Sequence, residues 1–430
     1  MTFLEELTWR GLLYQTTADD DLRAHLASGS RIAYAGFDPT AESLTIGNYI
    51  PIKLLAHFQR AGHTPIVLMG GGTGLIGDPS GKDAERQLLS PEQVQKNVAA
   101  QVRIFERVLD FDPANPNAAI IVDNADWLTK LGYLDVLRDV GKHFSVNAMI
   151  QKDSVRDRLE NREQGISYTE FSYMILQAYD FLHLRREKNC TLQMAGSDQF
   201  GNIIAGIDLI RRELPQDGNQ AFGVTAPLVT RADGKKIGKT EKGAIWLGAD
   251  KTSPYAFYQF WINVNDDDVI PFLKWFTFLS KDDIDGLAAN HDSAPHERAA
   301  HRALAQHMTA LMHGDEQLHA VESATEALFR GNVRELPVTM LDEVFADVPH
   351  TTHDRNALEG DGADLIELLP TTSLASSKRE AREFLGNNAV SVNGERVGAD
   401  YRLTSQDLLH GETILLRRGK KKWHATRWGA

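Results

Sequence analysis

The chain has 430 residues, of which 42% are apolar and 24% charged, and its formal net charge is −13. That length implies two or three domains, and the acidic balance excludes a protein that coats nucleic acid indiscriminately. No apolar run approaches the roughly 20 residues of a membrane span, acids stand where a signal peptide would carry bases, and the single cysteine, Cys190, excludes internal disulfides and fits a reducing cytosol.

The first half alternates strand-like and helix-like segments. Arg31-Ile-Ala-Tyr-Ala-Gly-Phe37 reads as a short apolar strand, and residues 46–60 have helical spacing ended by Gly62. Pro65-Ile-Val-Leu-Met69 is the next strand, followed by the glycine-rich turn Gly70-Gly-Gly-Thr-Gly74. Ser90-Pro-Glu-Gln93 opens a helix with a capping box and Pro at the first helical position, with Val94, Val98, Val102, Phe105 and Leu109 as its apolar stripe. Ala118-Ala-Ile-Ile-Val122 is another buried-type strand. The alternation predicts a parallel sheet that binds ligands at the carboxyl ends of its strands.

From Pro254 the pattern becomes helical, with helix starts at Pro254, Asp268, Pro295 and Glu316. Residues 336–362, broken by Pro337, Pro349, Gly360 and Gly362, read as a linker. Beyond it, Lys378 to Leu385 is a helix carrying Lys378, Arg379 and Arg382. Val390-Ser-Val392 followed by Asn393-Gly394 is a hairpin signal, and Ile414-Leu-Leu416 is a strand leading into a basic tail. Within residues 411–430, Arg417, Arg418, Lys420, Lys421, Lys422 and Arg427 outnumber the one acid, Glu412. A basic end on an acidic body points to localised RNA contact.

Four separated segments carry chemistry. Gly77-Asp-Pro-Ser-Gly81-Lys82 is not a phosphate loop, because Ile76 and Asp83 occupy the places of the required glycine and Ser or Thr. The better phosphate site is the turn from Tyr34-Ala-Gly-Phe-Asp38-Pro-Thr40 into Thr45-Ile-Gly-Asn48, where a helix start offers free N–H groups. Tyr173, Gln177 and Asp180 lie i, i+4 and i+7 along one helix face and can converge on one ligand. Gly196-Ser-Asp198-Gln199 follows a strand end, and Lys236-Ile-Gly-Lys239-Thr240 sits in a basic, glycine-punctuated loop.

In this order the four segments resemble those of bacterial-type tyrosyl-tRNA synthetases, class I enzymes that activate tyrosine with ATP and load it onto tRNA. The resemblance runs over nearly the whole chain. It departs at Thr45 and Asn48, where the family usually carries histidine, and at Phe200, where it often has Trp. It implies a Rossmann-like α/β parallel-sheet catalytic domain over residues 1–225 and a signature loop with a helical anticodon-side domain over 226–335. The linker over 336–362 and a small α+β, alpha-L-type RNA-binding domain over 363–430 follow. By resemblance, Gly36, Asp38, Thr40, Gly47, Asn48, Asp198 and Lys239 bind ATP. Tyr34 and Asp180 bind the phenol of tyrosine, and Asp78, Tyr173, Gln177 and Gln199 surround its α-ammonium and carboxylate. Thr40, Thr45, Lys82, Arg86, Lys236 and Lys239 stabilise phosphate charge in catalysis. Lys378, Arg379, Arg382, Arg417, Arg418, Lys420, Lys421 and Lys422 are the RNA-binding candidates. The implied substrates are tyrosine, tRNA(Tyr) and ATP with Mg²⁺, with no metal held by the protein. A homodimer and a cytoplasmic location are expected. The rival readings are a tryptophanyl enzyme, favoured by Thr-Ile-Gly-Asn alone, and a non-catalytic RNA-binding relative.

Overall fold

The apolar strand Ile32–Phe37 (β2) lies in the middle of a six-stranded sheet and organises everything around it. A computed structural model describes residues 1–78, 88–152, 155–156, 159, 165–216, 218–234, 237–240, 243–330, 333–346, 348–419 and 422–429. The other strands are Gln15–Thr16 (β1), Thr64–Met69 (β3), Ile120–Asp123 (β4), Leu192–Gly196 (β5) and Phe222–Ala226 (β6). Their order is β1-β6-β5-β2-β3-β4. All neighbours are parallel except the β1–β6 edge pair. The chain leaves β2 towards β3 and β4, then returns to the other side of β2 with β5 and β6. The carboxyl ends of β2 and β5 therefore flank a topological switch point, the place where such sheets bind ligands.

Connecting helices cover the sheet. Tyr49–Arg60 joins β2 to β3, Pro91–Phe105 joins β3 to β4, and Phe200–Glu213 joins β5 to β6. The 21-residue helix Tyr168–Lys188 precedes β5 and buries Ala178, Phe181 and Leu184 against Tyr34, Ile66, Ile203 and Ile207. The Ser90 hydroxyl accepts from Gln93 N–H, with Pro91 next, but of the expected capping box only this half is seen, since the Gln93 side chain donates to Asn97. The buried face of that helix differs from the expected stripe: Asn97 and Gln101 are buried, while Val98 and Val102 are only half-buried.

By internal contact the chain divides into two units, Met1–Thr252 with Phe260–Met312, and Ser253–Gln259 with His313–Ala430. The first unit ends in helices Asp266–Phe276 and Lys281–Ser293 and most of Ala299–His313. The sequence pattern passed over Lys281–Ser293, whose polar run and Gly286 mask a helix start capped reciprocally by Ser280 and Asp283. No helix among the described residues is long and apolar enough to cross a membrane.

The second unit holds helices Asp315–Arg330 and Val338–Val344 and a five-stranded sheet. Its strands are His350–Asp354 (β7), Val390–Val392 (β8), Glu395–Val397 (β9), Thr413–Arg418 (β10) and Lys422–Gly429 (β11), in the order β9-β8-β10-β11-β7. The Asn393-Gly394 hairpin forms, with Asn393 at φ 50° and Gly394 at φ 91°. The Asn393 amide also bonds Asp407 O and Leu415 N.

Two expectations are corrected here. Residues 336–362 are not only a linker: they contain a helix and β7, which pairs in parallel with β11. The basic tail is not a tail either, because Lys422–Gly429 is the strand β11 with Trp428 buried. Both were hidden because β7 docks through polar groups. Ser373 N–H donates to His424 Nδ1 (3.1 Å), which assigns the proton to Nε2. That nitrogen faces Thr351 Oγ1 at 3.1 Å, and Thr351 lies 2.7 Å from His353 Nε2. A strand reading His-Thr-Thr-His-Asp has no apolar alternation to find.

Burial pushes the His424 imidazole down to about 4, with His353 and His350 adding repulsion. The depressed group binds fewer protons folded than unfolded, so its stabilisation is complete above the ordinary histidine range near 6.5 and is lost as pH falls towards 4. His424→Gln should flatten the stability of the second unit across pH 6.5 to 4, a window worth on the order of 3 kcal/mol in the parent chain. Urea denaturation followed by Trp fluorescence at stepped pH checks it.

Candidate active site

The switch point gathers side chains from β2, β4, the glycine-rich turn and helix Tyr168–Lys188. Asp38 leaves the end of β2 and accepts from Thr73 Oγ1 and from the Tyr173 hydroxyl, each at 2.9 Å. The turn after β3 must be glycine there. A Cβ on Gly70 would lie 2.4 Å from Asp38 Oδ1, and one on Gly71 would lie 2.2 Å from Asp123 Oδ1.

Asp180 is 1% exposed. Asn124 Nδ2 donates to its Oδ2 at 2.9 Å and Trp127 Nε1 to its Oδ1 at 2.7 Å. The Asn124 carboxamide is itself fixed, accepting from Gly72 and Thr73 N–H and donating to Thr73 Oγ1. Trp127 is held flat by stacking on His183, with ring centroids 4.2 Å apart. Burial pushes the Asp180 carboxyl up to about 7, and the bonds from Asn124 and Trp127 restrain that rise. Two donors leave about half of the acceptor sites of a carboxylate open.

Tyr34 is equally buried, and its hydroxyl has no hydrogen-bond partner among the described residues. Burial and the charge of Asp180 both push its pKa upward. An orphaned buried hydroxyl beside a buried carboxylate is rare unless something polar completes the pair.

A second cluster adjoins Tyr173 one turn along the same helix. Gln177 Nε2 donates to Gln199 Oε1 at 3.2 Å, and Gln199 Nε2 donates to Asp78 Oδ2 at 2.7 Å. Asn202 Nδ2 bridges the carbonyl oxygens of Gln177 and Gln199. The two clusters form a rim of carboxamides, carboxylates and one phenol, a set that suits a ligand ammonium as well as donors.

Gly36, near the end of β2, and Thr40, Gly47 and Asn48 in the turn after it are exposed to solvent. Thr45 Oγ1 donates to Asn48 Oδ1 at 2.8 Å, and Thr45 N–H bonds the same oxygen at 3.0 Å. Backbone pairing brings the lysine-bearing segment beside this turn: Ile46 N–H donates to Ile245 O, Leu247 N–H to Leu44 O, and Ile245 N–H to Gly238 O. Asp198 is exposed just past β5. Lys82, Arg86, Lys236, Lys420 and Lys421 lie outside the described residues, and only the backbone of Lys239 is described. Among the described residues no group of three or more His, Cys, Asp or Glu forms a metal site.

In the second unit Lys378, Arg379, Arg382 and Lys422 are exposed. Arg417 and Arg418 are half-buried instead of lying in a solvated tail. Arg418 Nη1 donates to Leu374 O at 2.6 Å with its guanidinium over the Phe384 ring, and Arg417 lies over Trp423.

The sequence brought Tyr34, Tyr173, Gln177, Asp180, Gln199 and Asp78 forward, and the structure places Tyr173, Gln177 and Asp180 on one helix, Tyr34 within β2, Gln199 just past β5 and Asp78 in the turn after β3. It missed Thr73, Asn124, Trp127 and Asn202. The glycine run before Thr73 was the only sequence signal for any of them.

The model for class I tRNA synthetases of the tryptophan and tyrosine type matches residues 27–330, and that for the SYY-like C-terminal domain of tyrosine–tRNA ligase matches 340–426. A tyrosine–tRNA ligase of Bacillus caldotenax is 51% identical over 431 residues, covering 100% of both chains. One from Staphylococcus haemolyticus is 49% identical over 421 residues, 98% of this chain and 97% of its own. Among solved structures, a C-terminally truncated Aspergillus nidulans mitochondrial tyrosyl-tRNA synthetase matches with TM-score 0.68 and 30% identity, over 76% of this chain and 94% of that one.

Asn124→Ala should destabilise the first unit by about 2 kcal/mol or more, since it strands the Gly72 and Thr73 amides and one oxygen of Asp180. Urea unfolding at neutral pH measures the loss.

Proposed function

The chain belongs to the bacterial tyrosine–tRNA ligase family of class I aminoacyl-tRNA synthetases, and from that membership we propose how its own residues carry the reaction. The reaction joins tyrosine to ATP as tyrosyl-adenylate with release of pyrophosphate, then passes the tyrosyl group to tRNA(Tyr). The observation that carries the site assignment is the pair of buried groups at Tyr34 and Asp180. A ligand phenol donating to Asp180 and accepting from Tyr34 would satisfy both. Phenylalanine would leave them unpaired. Tyrosyl enzymes are themselves the general example of such discrimination, which in that family reaches about 10⁵. An indole has no hydroxyl for either.

The rim formed by Tyr173, Gln177, Gln199 and Asp78 then receives the α-ammonium and carboxylate, with Asn202 as a positioning residue behind it and Asn124 and Trp127 behind Asp180. The substrate carboxylate is ionised at neutral pH, so its oxygen attacks the α-phosphorus of ATP without a protein nucleophile. The protein's part is alignment and stabilisation of growing phosphate charge. We assign that part to Thr40, the Thr45–Asn48 pair, Lys82, Arg86, Lys236 and Lys239, with Gly36, Asp38, Gly47 and Asp198 holding the nucleoside and Mg²⁺ entering with ATP as substrate. The exposed bases Lys378, Arg379, Arg382 and Lys422 support RNA contact by the second unit. The half-buried Arg417 and Arg418 brace its fold.

A second copy of the chain is proposed to cover an exposed apolar patch that includes Tyr133, Leu134, Leu137, Val146, Ile150 and Tyr168. Leu134 is 76% exposed and Tyr133 63%, and the Tyr133 and Tyr168 hydroxyls lie 3.4 Å apart. Leu134→Asp combined with Val146→Asp should halve the sedimenting mass. A mass already monomeric in the parent chain would overturn the assignment.

Pyrophosphate exchange run with tyrosine, phenylalanine, tryptophan and no amino acid tests the pocket. Asp180→Asn should lose about 1.5–3 kcal/mol of selectivity for tyrosine over phenylalanine. Because the ionised carboxyl is the better acceptor, apparent affinity for tyrosine should rise as pH climbs through about 7, where Asp180 titrates. Unchanged tyrosine activation and unchanged rejection of phenylalanine in the variant would sink the pocket assignment.

A further inference from the structure

Helix Pro91–Phe105 turns an unexpected face to the core. Asn97 and Gln101, one helical turn apart, are each 1% exposed, among Val94, Ile104 and Phe105. Burying a carboxamide is unfavourable unless its polar atoms are paired, so each of these two demands a reason.

The reason is common to both. Asn97 Nδ2 donates to Pro39 O at 2.8 Å, and Gln101 Nε2 donates to Ala41 O at 2.8 Å. The two carbonyls are those on either side of Thr40. Thr40 itself is exposed, and its N–H closes a tight turn onto Asp38 O at 2.9 Å. Asn97 is oriented by Gln93, whose Nε2 donates to its Oδ1 at 2.8 Å. One residue further along the turn, Glu42 is paired with Lys96 of the same helix. The helix thus grips positions 39, 41 and 42 from behind, leaving Thr40 as the point of the turn that faces outward.

Gln101 carries a cost in making this grip. Its Oε1 is buried with no hydrogen-bond partner, an unfavourable arrangement that an apolar side chain of the same length would avoid. The amide is useful only for the donor it aims at Ala41 O.

We propose that Asn97 and Gln101 are positioning residues for adenylate formation, fixing the backbone on both sides of Thr40 so that its hydroxyl meets the phosphates as charge grows on them. The inference rests on the reading of Thr40 given above. A donor must be in place before the transition state for its interaction to lower the barrier, so loosening the turn lowers the rate more than it weakens ground-state binding.

Gln101→Met keeps the volume, removes the donor and also removes the orphaned oxygen. The full-length variant should melt close to the parent, since losing the orphaned oxygen offsets losing the donor to Ala41 O. Its single-turnover rate of adenylate formation at saturating ATP and tyrosine should fall about tenfold, with the KM values for ATP and tyrosine moving less than about twofold. Asn97→Leu should do the same to the rate, and it serves if either variant folds poorly. In a Thr40→Ala background the further loss from Gln101→Met should shrink below about twofold, because the group being positioned is gone. A parental rate in both single variants, or losses that multiply in full with Thr40→Ala, would overturn the inference while leaving Thr40 in its role. A Thr40→Ala enzyme with a parental rate would instead remove the reading of Thr40, and the inference with it.

Discussion

Burying the Asp180 carboxylate is the constraint on which the rest of the site depends. A carboxylate removed from water needs donors at fixed places, and here they come from Trp127 and Asn124, both just beyond β4. Asn124 leads to Thr73 in the glycine turn, Thr73 to Asp38 at the end of β2, and Asp38 to Tyr173 on the helix that carries Asp180. The circuit closes on itself. It ties β2, the turn after β3, the residues after β4 and helix Tyr168–Lys188 together at the switch point of the sheet, so the pocket cannot deform without breaking charge-assisted bonds. Gly70 and Gly71 follow from the same constraint, because no side chain fits between the turn and the carboxylates of Asp38 and Asp123.

What was legible in the sequence was apolar or spaced. The strands 32–37 and 64–69 and the helix face of Tyr173, Gln177 and Asp180 announced themselves by period, and the switch point followed from the order of strands and helices. What was hidden is polar and buried. Asn124 and Trp127 lie far from Asp180 in sequence, and nothing local marks them as its donors. Asn97 and Gln101 occupy core positions that an apolar-stripe reading assigns to valine. Strand His350–Asp354 contains no aliphatic residue, and is docked by hydrogen bonds through Thr351, His353 and His424. In each case the missing signal is a pairing between distant residues, which a single sequence does not display.

The charge reading shows the same limit from the other side. Six bases within residues 411–430 read as a solvated basic end, yet arginine carries enough apolar stem and planar surface to be built into a sheet. Arg417 and Arg418 lie over Trp423 and Phe384 and are half-buried, while Lys378, Arg379, Arg382 and Lys422 remain exposed. A count of bases does not separate those packed into the sheet from those left in solvent, whereas burial does.

The same accounting of donors applies at Thr45 and Asn48. A threonine hydroxyl has one proton, and Thr45 gives it to Asn48 Oδ1. The N–H of Thr45 goes to the same oxygen, so the Asn48 carbonyl is saturated and its amide group is oriented by two bonds. The donating capacity left to the pair is therefore that of the Asn48 NH₂, with the Thr45 hydroxyl serving to aim it. Together they present one oriented amide at the start of the Tyr49–Arg60 helix, beside the turn that Asn97 and Gln101 hold. The two ends of the 40–45 loop are thus fixed by different means, carbonyl by carbonyl at Thr40 and side chain on side chain at Thr45.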